Sequence, residues 1–271
     1  MILVAGHYCH DTLLGNAGAQ RTLGGSAAYA SAILEALGEP HRVVAKVGED
    51  FLYGVEVSQK PLVVPGRTTA FIDDYRGPER QQRVEAVAPP LEPSDLRGNY
   101  DLALACAIAG ELPLRTLQRL RRISGTVVAD AQSILREIAA DGQVVLRAPE
   151  VEALEAIDFL KASRAEAEAL DLPSLRQRLT LLITDGPRGC TVLGRGVQLQ
   201  IDAERAEERD PTGAGDCFLA GFAAGLARGV PLEKAVRVGA WCGARAVEHF
   251  GVPRLDAARV RAAVRTVLTS P

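Results

Sequence analysis

The stretch Asp210–Phe218 reads DPTGAGDCF, and its residue types suit phosphoryl chemistry. Gly213, Ala214 and Gly215 carry almost no side chain. Their backbone N–H groups can therefore close on an anion, and a helix starting here adds its positive end. Such a nest stabilises charge developing on a transferring phosphoryl group. Asp216 follows at once. A carboxylate in that place repels a phosphate, so its useful role is to accept the proton of an attacking hydroxyl. The same residues also suit a plain glycine turn with Asp216 favourable near a helix N-terminus, and the stretch alone leaves both readings open.

Two commoner phosphate loops are excluded. The chain has no Gly-Lys pair, so it has no G-x-x-x-x-G-K-[ST] loop, and Phe218 stands at the third glycine of a dinucleotide fingerprint. Other polar residues fall where a ligand site needs them. Asp11 follows the first predicted strand, and a carboxylate accepts well from the vicinal hydroxyls of a polyol. Read alone, it is equally a turn residue. Gly24-Gly25 precede a helix and permit close ligand approach or hinge motion, although a plain loop explains them too. Asp130 ends VVAD on the expected carboxyl edge of the sheet, where ligands bind in such folds. By themselves Glu166 reads as a solvated helix charge, and Gly186 and Gly189 as turn glycines.

These residues need elements to position them. ILVA (2–5), RVVAK (42–46), LALAC (102–106), TVVAD (126–130), IDFLK (157–161) and TLLIT (180–184) predict strands. They are apolar on both faces, as strands of a covered parallel sheet are. Ala30, Ile33, Leu34 and Leu37 keep helical spacing up to Gly38. A helix from about Gly215 shows Phe218, Phe222 and Leu226 on one face, and another carries Leu232 to Val247. In RTLQRLRRI (115–123), Leu117, Leu120 and Ile123 mark the buried stripe of a helix whose arginines face water. The alternation predicts a doubly wound sheet covered on both faces. Residues 67–87 break the rhythm: apolar and polar residues alternate around Gly77-Pro78, which predicts a hairpin with one wet face. With residues 11–23 it would form a small sheet, either a decoration or a lid over a cleft.

The 271 residues, 47% hydrophobic and 24% charged, suit a globular α/β chain, and a net charge of -3 gives no basic field for nucleic acid or anionic membrane. No apolar run approaches a membrane span or a signal segment. Five scattered cysteines without a C-x-x-C pair read as reduced thiols of a cytoplasmic protein. His7 and His10 bracket Cys9, a spacing too weak to predict a zinc site.

PTGAGD (211–216) before an apolar helix resembles the signature of the PfkB, or ribokinase-like, family of carbohydrate kinases. Gly24-Gly25 is similar to that family's N-terminal di-glycine, and Asp11 to its hydroxyl-binding acid. SRAE (163–166) is similar to Asn-x-x-Glu, and TDGPRG (184–189) to the family's strand-end glycine turn. GHYCHDTL (6–13), TLGGSAAYASAIL (22–34), VVADAQSILR (127–136), FLKASRAEAEAL (159–170) and VEHFGV (247–252) resemble its myo-inositol kinase branch.

The resemblance implies one three-layer α/β/α domain over residues 1–271, with a mostly parallel doubly wound sheet and a β lid from about 11–23 and 67–87. It implies ATP-dependent phosphorylation of a myo-inositol ring hydroxyl to the 3- or 1-phosphate. Asp216 would be the base and Gly213, Ala214 and Gly215 the anion hole. Asp11, Gly24 and Gly25 would hold the acceptor; Thr184, Gly186, Gly189 and Val247 would border the nucleotide. Ser163 and Glu166 would hold Mg²⁺ through water, and a monovalent cation is a further candidate. The partners would be the polyol and ATP, in a monomer or a homodimer joined through the lid.

The chain departs from the family pattern in three places. Tyr29 stands where many relatives carry a sugar-binding Asn, which argues against a furanose acceptor. Ser163 replaces the Asn of Asn-x-x-Glu, and residues 53–66 are shorter than usual. Another sugar or nucleoside kinase of the family, and a catalytically silent nucleotide- or polyol-binding protein, are the alternatives.

Overall fold

The computed structural model describes residues 1–15, 18–77 and 81–269. The strands predicted from apolar runs assemble into one eight-stranded sheet. Its order is Val197–Ile201, Cys190–Gly194, Thr180–Thr184, Phe159–Ser163, Ser124–Asp130, Tyr100–Cys106, Ile2–Gly6, His41–Val44. The six strands from Thr180–Thr184 onward run parallel. Cys190–Gly194 and Val197–Ile201 form an antiparallel hairpin on one edge. That hairpin was not anticipated, although Val197, Leu199 and Ile201 alternate with polar residues after Gly194-Arg195-Gly196. The strand expected over 157–161 runs instead from Phe159 to Ser163, which brings Lys161 to its middle.

Successive side chains of a strand face opposite ways, and here each face meets its own core. Ile2, Val4, Leu102 and Leu104 pack into one cluster with residues of the helices Ser26–Leu37, Ala214–Ala227, Leu232–Ala246 and Ala257–Thr269. Leu3, Ala5, Ala103 and Ala105 join the other, with Leu117, Leu120 and Ile123 of the helix Leu114–Ile123. The layers are α/β/α. The first helix stops at Gly38, whose φ of 74° lets its N–H turn back to the Glu35 carbonyl oxygen.

A second sheet has the order Gly18–Gly24, Cys9–Gly15, Ala70–Asp74, Gln81–Ala86. It combines the predicted hairpin with the segment after the first strand. The predicted turn at Gly77-Pro78 enters residues 78–80, and the first segment passes through residues 16 and 17; these five lie outside the described residues. Asp11 therefore sits inside a strand rather than in a turn. Asp11 pairs Phe71, Leu13 pairs Asp73, and Asp73 pairs Gln82 across the sheet. Those side chains share one face. Gln81, Arg83 and Glu85 form the exposed face of the last strand.

Candidate active site

The nest forms where a loop feeds the helix Ala214–Ala227. Gly213 caps this helix with φ 74°, and a Cβ on it would fall 2.2 Å from Tyr29 ring carbons, so no larger residue fits. Asp210 fixes the loop: its carboxylate accepts from Thr212 N–H at 3.0 Å and from Gly251 N–H at 3.1 Å. The Val247 carbonyl oxygen accepts from the N–H groups of Arg209 at 2.7 Å and Asp210 at 3.2 Å. Ala214 N–H is bent onto the Pro211 carbonyl oxygen at 3.3 Å. The amides left to meet an anion are thus those of Gly213 and Gly215, not all three.

Asp216 is half-buried in the first turn, where Gln132 Nε2 lies 3.4 Å from its Oδ1. Burial first, and then the Asp130 carboxylate, push its carboxyl up to about 7, while Lys161 and Arg136 pull the other way. Sequence reasoning had no place for Lys161. Asp130 and Lys161 are register partners in adjacent strands, and Lys161 Nζ lies 2.8 Å from Asp130 Oδ2. Asp130 also accepts from Gln132 N–H at 3.2 Å. Burial alone would lower the Lys161 pKa, but Asp130 and Glu166 outweigh it and keep the ammonium charged. A Cβ on Gly215 would fall 2.6 Å from Nζ, so the missing side chain lets this cation sit against the nest. The signal in the sequence was slight: Lys161 is one of only four lysines, and it lies in a strand predicted to be buried.

Ser163 and Glu166 form a capping box for the short helix Arg164–Ala167. Glu166 Oε2 accepts from Ser163 N–H and Oγ, each at 2.8 Å, while Oε1 faces Arg136 at 3.8 Å. Neither residue borders a cavity described below. As placed, the two side chains bond each other and form no direct donor pair for a metal; the role expected of them was one through water. Among the described residues no group of three or more His, Cys, Asp and Glu side chains could hold a metal ion.

Asp11, Gly25, Tyr29, Asp73, Gln82 and Asp216 meet around a cavity of about 190 Å³. Asp11 is buried, and a Cβ on Gly24 would fall 1.7 Å from its Oδ2, so the di-glycine makes room for this carboxylate. Gln82 Nε2 donates to Asp73 Oδ1 at 3.0 Å and holds a second lid carboxylate in place. Tyr75 of the lid meets Thr212 of the nest loop, 3.2 Å between hydroxyls. The elements that carry Tyr29, Asp73 and Gln82 were legible, but their convergence on Asp216 was not.

A second cavity of about 550 Å³ lies on the other side of Gly215, which borders both. Thr184, Gly186, Gly189 and Val247 line it, as do Phe218 and five alanines, with Glu204, Arg205 and Glu208 along one segment. Gly189 has φ 84° and passes so close to Ile201 that a Cβ would lie 2.0 Å from that carbonyl oxygen. The site is therefore two chambers, one polar and one mainly apolar, meeting at the nest.

Residues 114–256 match the model of the pfkB family of carbohydrate kinases. Rice inositol 3-kinase is 38% identical over 94% of this chain and 70% of its own length. Maize inositol 3-kinase is 36% identical over 93% of this chain and 73% of its own length. A solved pyrophosphate-dependent kinase of the ribokinase family, complexed with a pyrophosphate analog and myo-inositol, superposes with a TM-score of 0.82. At 23% identity over 96% of this chain and all of that one, that likeness shows the fold alone, and the fold is ribokinase-like. By the matched region and these relatives, the chain belongs to the pfkB family of carbohydrate kinases.

Proposed function

We propose that this chain transfers the γ-phosphoryl group of ATP to a ring hydroxyl of myo-inositol, giving an inositol monophosphate. The observation that carries this reading is the junction at Gly215. A polar chamber lined by Asp11, Tyr29, Asp73 and Gln82 meets an apolar chamber at an anion nest, with Asp216 beside it. The rice and maize relatives, named for the 3-position, support both the acceptor and that position.

The acceptor lies in the polar chamber, its hydroxyls on Asp11 and on the Asp73–Gln82 pair. Asp216 takes the proton of the attacking hydroxyl; the oxygen bonds to the γ-phosphorus while the bond to the ADP oxygen breaks. A base poised near neutrality is suited to that step, and about 7 is where the surroundings put Asp216. The Gly213 and Gly215 amides and the Lys161 ammonium receive the charge on the transferring group. Tyr75, held to Thr212, helps the lid sheet exclude water that would otherwise compete with the acceptor.

The apolar chamber supports a nucleotide donor. It offers about 550 Å³ and the faces of Phe218 and Val247 to a base and ribose, a volume inorganic pyrophosphate would leave unfilled. Mg²⁺ accompanies the ATP phosphates, with Ser163 and Glu166 reaching it only through water. Five free buried thiols suit a reducing compartment, and the cytoplasm is the proposed location. Among the described residues no helix is long and apolar enough to cross a membrane.

The donor is tested by supplying myo-inositol with Mg-ATP or with Mg-pyrophosphate and following inositol monophosphate by phosphorus NMR. Product from ATP well above product from pyrophosphate supports the nucleotide reading; the reverse order overturns it and leaves the acceptor assignment standing.

A further inference from the structure

The chain between the edge strand Val197–Ile201 and the nest loop forms one side of the apolar chamber: Ala203, Glu204, Arg205, Ala206 and Glu208 all border it. Both ends of this segment are fixed. Ile201 pairs Cys190 in the sheet, and the Val247 carbonyl oxygen accepts from the N–H groups of Arg209 and Asp210. Between those ends the chain forms neither helix nor strand, and residues 204–208 are exposed. Among the described residues, 203–208 make a single hydrogen bond, in which Arg245 Nη2 donates to the Arg205 carbonyl oxygen.

Arg245 is seated for that contact. It lies in the last turn of the helix Leu232–Ala246, with its guanidinium carbon 5.8 Å from the centre of the Trp241 ring one turn earlier. Glu248 Oε1 lies 3.0 Å from Nη1 on the other flank. Its Nε is buried and without a partner. Leaving a buried donor unserved costs stability, so this seat is not the one that best satisfies the guanidinium itself.

We infer that Arg245 positions the phosphoryl donor indirectly, by pinning residues 203–208 as a wall of the apolar chamber. This rests on the nucleotide-donor reading above. Arg245 is not among the residues that border the chamber, so it acts through the wall and not on the ligand. Arg205 is exposed, and water can serve its carbonyl oxygen once the arginine is gone, so the bond adds little to stability. Its effect is on order. A loose wall must be ordered each time a nucleotide binds, and that cost falls on donor affinity alone. The pinned wall also brings Glu204 and Glu208 to the chamber, and carboxylates accept well from the hydroxyls of a ribose.

The wall carries its own probe, since trypsin cuts after Arg205 only when the chain there can be drawn out into the protease. In limited digestion read by mass spectrometry, Arg245→Gln should be cut after Arg205 roughly 3–10-fold faster than wild type. Mg-ATP should slow that cut in both. The KM for ATP should rise by roughly 3–10-fold, the scale of one hydrogen bond. The KM for myo-inositol should hold, kcat should stay within about twofold, and the unliganded melting temperature should move by less than about 2 °C. Arg245→Lys keeps the charge without the planar fork and should fall between the two.

An Arg245→Gln enzyme cut at the wild-type rate overturns the inference, because something else would then hold the wall. So does faster cutting with an unchanged KM for ATP, which would make the wall irrelevant to the donor. A large drop in melting temperature with both KM values raised overturns it as well, since Arg245 would then serve the fold at large. Wild-type enzyme that uses pyrophosphate and ignores ATP sinks the nucleotide reading instead. The cutting rates after Arg205 still decide whether Arg245 pins the wall.

Discussion

Lys161 Nζ lies 2.8 Å from Asp130 Oδ2, with the two side chains 9% and 1% exposed, and Gly215 of the anion nest has no side chain to come between them and a phosphate. A buried pair of this kind is held by mutual need: each charge is costly to bury without the other. Lys161→Met should therefore cost about 3–5 kcal/mol of stability by stranding the Asp130 carboxylate. The double variant Lys161→Met, Asp130→Leu should recover most of that loss in denaturant melts while phosphoryl transfer stays low. Full activity in the double variant would remove the pair from the chemistry and leave it a packing feature.

Asp216→Asn keeps the shape of the side chain and removes the base. It should bind ATP as wild type does while kcat falls by roughly 10²–10⁴, the scale of a lost general base. Near-normal kcat would take Asp216 out of the mechanism.

The same residue links stability to pH, with a definite sign. Its folded pKa of about 7 lies above its unfolded value, so the fold favours the protonated acid. That preference stabilises at low pH and is lost as pH rises from about 4 through about 7. Asp216→Asn should accordingly melt higher than wild type at pH 8, by roughly 2–4 °C for each kcal/mol relieved, with the gap closing at pH 4. In wild type, kcat should climb through about pH 7, as the base must be ionised. A flat profile from pH 5.5 to 8.5, with chemistry limiting, would contradict this.

Gly24→Ala places a methyl group within the space of the Asp11 carboxylate, 1.7 Å from Oδ2 as it stands. The carboxylate must turn away, so the KM for the acceptor should rise by roughly tenfold or more while the KM for ATP holds. Steady-state kinetics with each substrate varied in turn separates the two. Equal rises in both KM values would indicate damage to the fold instead of to the acceptor chamber.

Residues 210–218 carried much of the candidate site in the sequence, because a nest and its base are contiguous and need only a strand-to-helix context. The six parallel strands were legible for a similar reason: burial on both faces leaves unbroken apolar runs. The edge hairpin was missed, although its second strand, Val197–Ile201, alternates apolar and polar residues along its whole length. Relationships between distant residues were not legible at all. Lys161 meets Asp130 because two strands fall into one register, and Tyr29 supports Gly213 across most of the chain. Ser163 shows the opposite lesson. Its likeness to the family's Asn-x-x-Glu implied a metal role, and the same spacing also closes a helix cap.

The measurement that bears most directly on the proposed activity is ADP release with Mg-ATP over myo-inositol, other inositol isomers, ribose, fructose and adenosine in parallel. Release should depend on acceptor, be greatest with myo-inositol, and vanish to background in Asp216→Asn. Preference for ribose, fructose or adenosine would keep the kinase and contradict the inositol assignment. ATP binding without release over every acceptor would contradict catalysis itself.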